Sequence, residues 1–256
     1  MAALTASAQV TIDVDANDRG PKISPTHYGI FFEDINHAAD GGLYAELIRN
    51  RSFEDGPEYG KPADMQAWST VSNGGTLTAR LIQPTKKVKL LNVAQGNALE
   101  LVIDGTTAPV SLVNDGYWGI NTVEGRTYRL SFWAKGTYKG GVKAMLCGEK
   151  GVYAETAVEA TVGKQWTRYT ATLTATANDP KAKFALAFDG KGTLQLDMVS
   201  LFPPTFKNRD NGLRPDLAQM LYEMHPKFMR FPGGCFVEGQ VSPDNAFRWE
   251  RTIGPI

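Results

Sequence analysis

Tyr128-Arg129-Leu130-Ser131-Phe132-Trp133-Ala134 alternates between two kinds of side chain at every step. In an extended chain successive side chains point to opposite faces. Tyr128, Leu130, Phe132 and Ala134 therefore share one face, which reads as core. Arg129, Ser131 and Trp133 share the other, so Trp133 sits on the polar side. Similar runs surround this one: Leu99–Ile103, Trp166–Leu173, Phe184–Phe188 and Leu194–Leu201. Gly, Asn and Asp punctuate them at short intervals, and no helical pattern of any length intervenes. Strands at such spacing predict an all-β sandwich or barrel from about Phe53 to Pro203.

Outward from this region the texture changes. Upstream, Tyr28-Gly29-Ile30-Phe31-Phe32-Glu33 is a short apolar run ending in an acid. Such a run suits a strand buried on both faces, as in a parallel sheet. Gly41-Gly42 then breaks the chain, and Leu43, Leu47 and Ile48 lie close to helical spacing, with Glu46 and Arg49 off that face. A short helix is expected there. Gln9–Val14 alternates and reads as a strand. Downstream of Pro203-Pro204, Leu213, Leu217, Met220, Leu221 and Met224 mark one face of an amphipathic helix. Pro215 fits its first turn, with Asn211 or Asp210 near enough to cap it. Lys227–Phe231 reads as a strand ending in Pro232-Gly233-Gly234.

A strand–helix unit before Phe53 and a helix–strand unit after Pro203 predict one α/β domain interrupted by a β-sandwich. The expected fold class is thus multidomain, α/β plus all-β. The expected divisions are a signal-peptide remnant at 1–8, an amino-terminal strand and α/β start at 9–53, the sandwich at 54–203, and the α/β continuation at 204–256. Two parallel strands do not close a sheet, so the α/β part is expected to be truncated here.

The chain has 256 residues, 27 basic and 27 acidic, and a net charge of zero. That balance leaves no basic footprint for nucleic-acid phosphates and none for an anionic membrane surface. No run approaches the ~20 apolar residues of a membrane-spanning helix. Ala6-Ser7-Ala8 has the small-x-small pattern of a signal cleavage site, before Gln9, although the basic n-region and most of the apolar h-region are missing. A secreted or periplasmic location is expected on that ground. Cys147 and Cys235 are too few for a disulfide scaffold, and their separation gives no reason to expect a pair. His27, His37 and His225 show no metal spacing.

Four candidates for chemistry stand out. Glu33 follows directly on a buried-type strand, where α/β barrels build active sites; its other reading is a cap on the next turn. Arg230 ends the second such strand, and if buried it needs a carboxylate partner. Pro232-Gly233-Gly234-Cys235 forces a tight turn, and its glycines let a ligand or another backbone approach closely; it also reads as a plain turn, with Cys235 a small buried hydrophobe. Trp133, with Tyr117, Trp118 and Tyr153 as further candidates, offers a flat ring to a sugar face, or else packs under loops or against the second domain.

These residues carry a resemblance. Tyr28 to Asn36, then Asp40-Gly41-Gly42-Leu43-Tyr44-Ala45-Glu46-Leu47 and Asn50-Arg51-Ser52-Phe53-Glu54, resemble the start of glycoside hydrolase family 51, the α-L-arabinofuranosidases. Arg230 to Cys235, then Arg248-Trp249 and Thr252-Ile253-Gly254-Pro255, resemble the same family in the same order. The middle resembles the jelly-roll carbohydrate-binding modules of families 4 and 9. The resemblance implies the first strands of a (β/α)8 TIM barrel interrupted by a jelly-roll sandwich. It implies a C-terminal sandwich to which Gln9–Val14 adds a strand, and a retaining mechanism with two carboxylates. It implies a substrate among arabinose-containing polysaccharides or oligosaccharides, with no cofactor for catalysis.

By motif position, Glu33 would hydrogen-bond arabinose hydroxyls, Cys235 would line the same pocket, and Arg230 would lie near the nucleophile. The acid/base and nucleophile Glu are expected beyond Ile256, so this chain is expected to be inactive alone. A homo-oligomer is a further expectation for the whole enzyme. The resembled modules share a calcium ion between an acid near their start and one near their end, which implies Glu54 and Asp197 as ligands of a structural calcium. Asp197 alternatively faces water or pairs with a lysine. The rival reading from another class is a non-catalytic carbohydrate-binding protein acting through the sandwich.

Overall fold

A computed structural model describes residues 10–57, 61–72, 74–231, 233–234, 237 and 248. Its strands in chain order are β1 (Ile30–Phe31), β2 (Trp68–Ser72), β3 (Thr76–Ile82), β4 (Ala98–Asp104), β5 (Val110–Asn114), β6 (Ile120–Thr122) and β7 (Thr127–Gly136). They continue with β8 (Val142–Gly148), β9 (Gly151–Val158), β10 (Thr167–Thr174), β11 (Asp179–Phe188), β12 (Lys191–Phe202) and, after helix α1 (Pro215–Glu223), β13 (Met229–Arg230). The structure is mostly β, and the five runs read as strands fall on β4, β7, β10, β11 and β12, with Trp166 alone just ahead of its strand.

Two antiparallel sheets hold one core. The five-stranded sheet runs β10-β7-β12-β4-β3; the six-stranded sheet runs β2-β5-β11-β8-β9, with β6 paired to β11. Period-2 alternation decides what is inside. Leu130, Phe132 and Ala134 of β7 and Leu99, Leu101 and Ile103 of β4 meet Leu112 of β5, Leu146 of β8 and Phe184, Leu186 and Phe188 of β11, all fully buried or nearly so. Burying a large apolar side chain contributes about 1.5–3 kcal/mol, so this interior is the principal source of stability.

Outside the sandwich, β1 and β13 form a parallel pair, with Ile30 opposite Met229 and Phe31 opposite Arg230. Helix α1 precedes β13 and has Pro215 in its first turn. Its N-cap position is Arg214 with no side-chain cap, so neither Asn211 nor Asp210 serves; Arg214 instead chelates Asp216, with Nη2 to Oδ2 at 2.6 Å. Only Ala218 of the helix is buried; on the apolar face read from the sequence Leu217 and Leu221 are half-buried and Leu213, Met220 and Met224 exposed.

Two expectations fail. No helix forms over Leu43–Ile48. A kinked turn spans Ala39–Leu43, and from Tyr44 the chain runs extended along the end of the sandwich, where Leu47 N–H donates to the Leu201 carbonyl at 3.1 Å. Tertiary contact overrides the spacing, because Ile48 and Phe53 join the sandwich core. Residues 10–14 form no strand: Val10, Ile12 and Val14 are exposed, since an alternating segment pairs only where a sheet edge receives it. The signal-like residues 1–8 and Gln9 lie outside the described residues.

Candidate functional site

Because β1 and β13 are parallel, the segments leaving both strands emerge at the same end. Glu33 leaves β1 there and Gly233 leaves β13. Gly233 has φ +122°, and a Cβ on it would lie 2.5 Å from Cγ of Glu33. The glycine thus lets the turn close onto the Glu33 side chain, which stays half-buried. Arg230 is not buried, and among the described residues no carboxylate pairs with it. It is exposed, and its guanidinium lies 5.1 Å from the Phe31 ring centroid, a cation–π contact on a sheet edge open to water. Cys235 lies outside the described residues.

The loop after Glu33 reaches the sandwich. Asp34 Oδ1 accepts from the Ala39 N–H at 3.1 Å, and His37 meets Tyr117 and Trp118 edge-on, with centroids 5.4 and 5.5 Å apart. Gly41, at φ +84°, leaves its Cβ position to the Tyr117 ring. Burial, reinforced by Asp40, Glu46 and Asp55, holds the half-buried Tyr117 hydroxyl protonated well above the usual range. Trp118 is 70% exposed. It stands between two clefts: one of about 570 Å³ bordered by Tyr44, Asn121, Arg126 and Asp216, the other of about 1050 Å³ bordered by Asp115, Glu149, Asp179, Lys181 and Lys183. Tyr153 is buried, not exposed, and donates to Asp179 Oδ2 at 2.8 Å. Cys147 is a half-buried free thiol on the larger cleft.

Trp133 lies on the outer face of the five-stranded sheet, half-buried, opposite Arg168 on β10 and Asp197 on β12. Asp197 neither faces water nor pairs with a lysine: it is fully buried. Its Oδ1 accepts from the Met198 N–H at 2.7 Å; among the described residues Oδ2 has no partner of full hydrogen-bond geometry, although the Gln95 side chain is near enough to lower the carboxyl's pKa. Burial pushes its carboxyl up to about 7, and the Glu54 charge adds to the shift. Gln95 lies beside it, and Gln95 Oε1 is likewise buried without a donor. Glu54 accepts from the N–H groups of Gly96 and Asn97 and from Asn97 Nδ2, which anchors it at the start of β4. Met198 has φ +48°, and the β12–β7 register shifts between Asp197 and Ser200.

The structure therefore brings Glu54, Gln95 and Asp197 together. Two orphaned oxygens and a neighbouring carboxylate, all acceptors, suit a hard cation, which takes six to eight oxygens. Among the described residues no group of three or more His, Cys, Asp or Glu gathers around one point, so Gln95 and backbone carbonyls would complete the set. Gln95 carried no sequence signal, because its role depends on a loop folding over β12.

Glu46, read from the sequence as an exposed helix residue, is the other buried acid. It is 3% exposed and accepts from Leu201 N–H at 2.8 Å, Ile48 N–H at 3.0 Å and the Ser200 hydroxyl, with Arg51 Nη1 at 3.7 Å. Burial raises its pKa against these hydrogen bonds. It ties the flank to the sandwich, a structural role.

Comparison with known proteins gives matches at both levels. Residues 45–191 match the family described as Carbohydrate binding domain, and residues 220–256 match one described as Alpha-L-arabinofuranosidase 1 domain. The chain is 35% identical to Alpha-L-arabinofuranosidase 1 of Arabidopsis thaliana over 96% of its own length and 37% of that protein's. It is 38% identical to an Extracellular exo-alpha-L-arabinofuranosidase of Streptomyces chartreusis, over 96% of this chain and 30% of the relative. An arabinose-bound GH51 α-L-arabinofuranosidase structure superposes with a TM-score of 0.78 at 35% identity, over 89% of this chain and 37% of that one. The chain thus spans about a third of the relatives it matches.

Proposed function

We propose that this chain, which belongs to the carbohydrate binding domain family through residues 45–191, is the amino-terminal third of a retaining α-L-arabinofuranosidase. The whole protein would remove terminal arabinofuranosyl groups from arabinan- or arabinoxylan-type polymers, outside the cell or in the periplasm. The observation that carries this reading is the convergence of Glu33 and Gly233 at one end of a parallel strand pair that flanks a carbohydrate-binding sandwich. In this reading β1 and β13 are the first strands of a (β/α)8 barrel, and residues 54–203 are an inserted jelly roll.

A retaining glycosidase needs two carboxyl groups about 5–5.5 Å apart, one as nucleophile and one as acid/base. Those groups are proposed to lie beyond Ile256. The residues of this chain bind and orient. Glu33 accepts hydrogen bonds from arabinose hydroxyls, Arg230 supplies positive charge beside the site, and Cys235 lines it. No cofactor enters the chemistry. Calcium, when bound by Glu54, Gln95 and Asp197, would supply charge compensation and tie the start of the sandwich to its last strand. Self-association of the whole enzyme is part of the proposal.

The test is release of arabinose from an aryl α-L-arabinofuranoside. The chain joined to its downstream reading frame should release arabinose, and Glu33→Ala in that protein should lower kcat/KM by about 10²-fold, the loss of ~3 kcal/mol of transition-state binding. The 256-residue chain alone should release none. Turnover by the chain alone that disappears in Glu33→Gln would overturn the assignment of roles. A second reading, a non-catalytic binding protein acting through the sandwich and Trp133, is favoured by the family match at 45–191. An inactive extended protein that still binds polysaccharide would support it.

A further inference from the structure

We propose that Trp118 is the stacking platform of a neutral-saccharide subsite that the sandwich holds beside the loop leaving Glu33. The inference rests on the reading above only for which sugar is bound. Three observations carry it. The first is exposure on a cleft: the ring is 70% exposed and forms the ridge shared by the two clefts. A large aromatic ring left in water is an anchor in search of a flat apolar partner, and the face of a sugar ring is one.

The second is rigidity. Asn114 is fully buried; its Oδ1 accepts from the Gly116 and Arg49 N–H groups at 2.9 and 3.3 Å, and its Nδ2 donates to the Arg49 carbonyl at 3.0 Å. Gly119 N–H closes the turn on the Asp115 carbonyl at 3.1 Å, and Asp115 N–H donates to the Ala67 carbonyl at 2.9 Å. Gly116 and Gly119 have φ of +65° and +104°, and a Cβ on Gly119 would lie 2.5 Å from the Lys181 Cα. The loop is therefore fixed in advance, and a pre-organised aromatic binds without an ordering cost.

The third is position. His37, which the Trp118 ring meets edge-on, lies four residues after Glu33. Four residues reach at most ~14 Å, so the platform adjoins the loop that leaves Glu33. A sugar stacked there would belong to the polymer that carries the terminal residue. The larger cleft chooses an uncharged ligand: three lysines and Arg49 face Asp115, Glu149 and Asp179, with Lys183 already paired to Asp115 at 2.8 Å. Near-balanced charges supply donors and acceptors for hydroxyl groups without a net field to select an ion.

The test is calorimetric titration of the 256-residue chain with a linear arabino-oligosaccharide and with an unsubstituted xylo-oligosaccharide of equal length. Trp118→Ala should weaken binding about tenfold, and Trp118→Phe, which keeps a flat ring, should stay within about threefold of wild type. Trp118 is exposed, so neither variant threatens the core. Binding of the xylo- but not the arabino-oligosaccharide, still lost in Trp118→Ala, would uphold the platform and refute the arabinose-polymer reading. The platform is overturned if the wild type binds neither sugar at roughly 10 mM, if Trp118→Ala binds as wild type, or if the loss follows Trp133→Ala instead.

Discussion

Substituting Glu46 separates two functions a buried carboxylate can serve. Its Oε1 accepts from two backbone N–H groups, Ile48 at 3.0 Å and Leu201 at 2.8 Å, and its Oε2 accepts from the Ser200 hydroxyl. Glu46→Ala removes both acceptor oxygens, and with them all three hydrogen bonds, at a site only 3% exposed. Each N–H left buried and unsatisfied costs about 1–3 kcal/mol, so the loss should total ~3–5 kcal/mol with the hydroxyl included. Glu46→Gln behaves differently. Its carbonyl oxygen can keep both N–H donors, and its amide can donate to Ser200 Oγ once that hydroxyl turns to accept. Burial already drives Glu46 toward its neutral form, and Arg51 is 3.7 Å away and partly in solvent, so Gln should cost about 1 kcal/mol or less.

The pH sign follows. A carboxyl whose folded pKa is raised binds its proton more tightly folded than unfolded. Its stabilising contribution is complete below the unfolded value and is lost as pH rises through the folded one. Glu46→Gln should therefore flatten the fall in stability on the alkaline side of pH 4.5. Urea unfolding of the three proteins at several pH values measures both effects. A Gln variant as unstable as the Ala variant would show that the charge and Arg51, rather than the acceptor geometry, hold the flank. An Ala variant within about 1 kcal/mol of wild type would refute the clamp itself.

Calcium at ~100 times its Kd should stabilise the sandwich by about 2.7 kcal/mol, a Tm rise of roughly 5–10 °C for a chain of this size. Protons compete for Asp197, whose carboxyl sits at about 7, so the rise should be larger at pH 8 than at pH 5 and absent in Asp197→Ala. Scanning calorimetry that finds no response to calcium or chelator at pH 8 removes Glu54, Gln95 and Asp197 as ligands. Gly41→Ala combines a φ of +84° with a collision against the Tyr117 ring, so it should lose about 1–3 kcal/mol in urea unfolding; an unchanged midpoint would mean that the loop relaxes freely. Phe31, Met220, Met224, Phe228 and Met229 are each more than half exposed on the flanks, so the 256-residue chain should self-associate in sedimentation at rising concentration. A monomer at every concentration would contradict that.

What the sequence revealed and what it hid divide along a physical line. Tyr128 to Ala134 announces its strand because a sheet buried on one face writes a period of two into the chain. Tyr28 to Phe32 announces a parallel strand by lacking that period, although only Ile30–Phe31 form one and it is half-buried and exposed rather than buried on both faces. Leu43–Ile48 misled, since three apolar residues in a short stretch fit either a helix or an extended segment, and only contact with Leu201 decides between them. Residues 10–14 misled for the related reason that alternation reports two faces but not a partner. Glu33 and the Pro-Gly-Gly turn were visible as separate motifs, yet their contact arises only from the parallel register of β1 and β13. Gln95 and the burial of Glu46 gave no local signal, and Trp118 was visible only as a candidate ring: their surroundings depend on segments that meet across the fold.

Those meetings give the sandwich its character. Asn114 holds Arg49, Glu46 holds Ser200 and Leu201, and Val199 N–H donates to the Arg51 carbonyl at 2.9 Å. Asn50 receives the Trp68 indole N–H on its carbonyl at 2.9 Å and reaches the carbonyls of Asp64 and Gln66 with its amide. The stretch from Glu46 to Phe53 is thus at once the exit from the α/β flank and part of the sandwich core. A module on a flexible linker raises the local concentration of polymer near a site but leaves its orientation free. A module joined through its core gives up that reach and fixes direction. Under the proposals above, a sugar held at Trp118 would keep one orientation relative to the flank that carries Glu33, and rigid placement of this kind contributes to specificity through geometry rather than through added affinity.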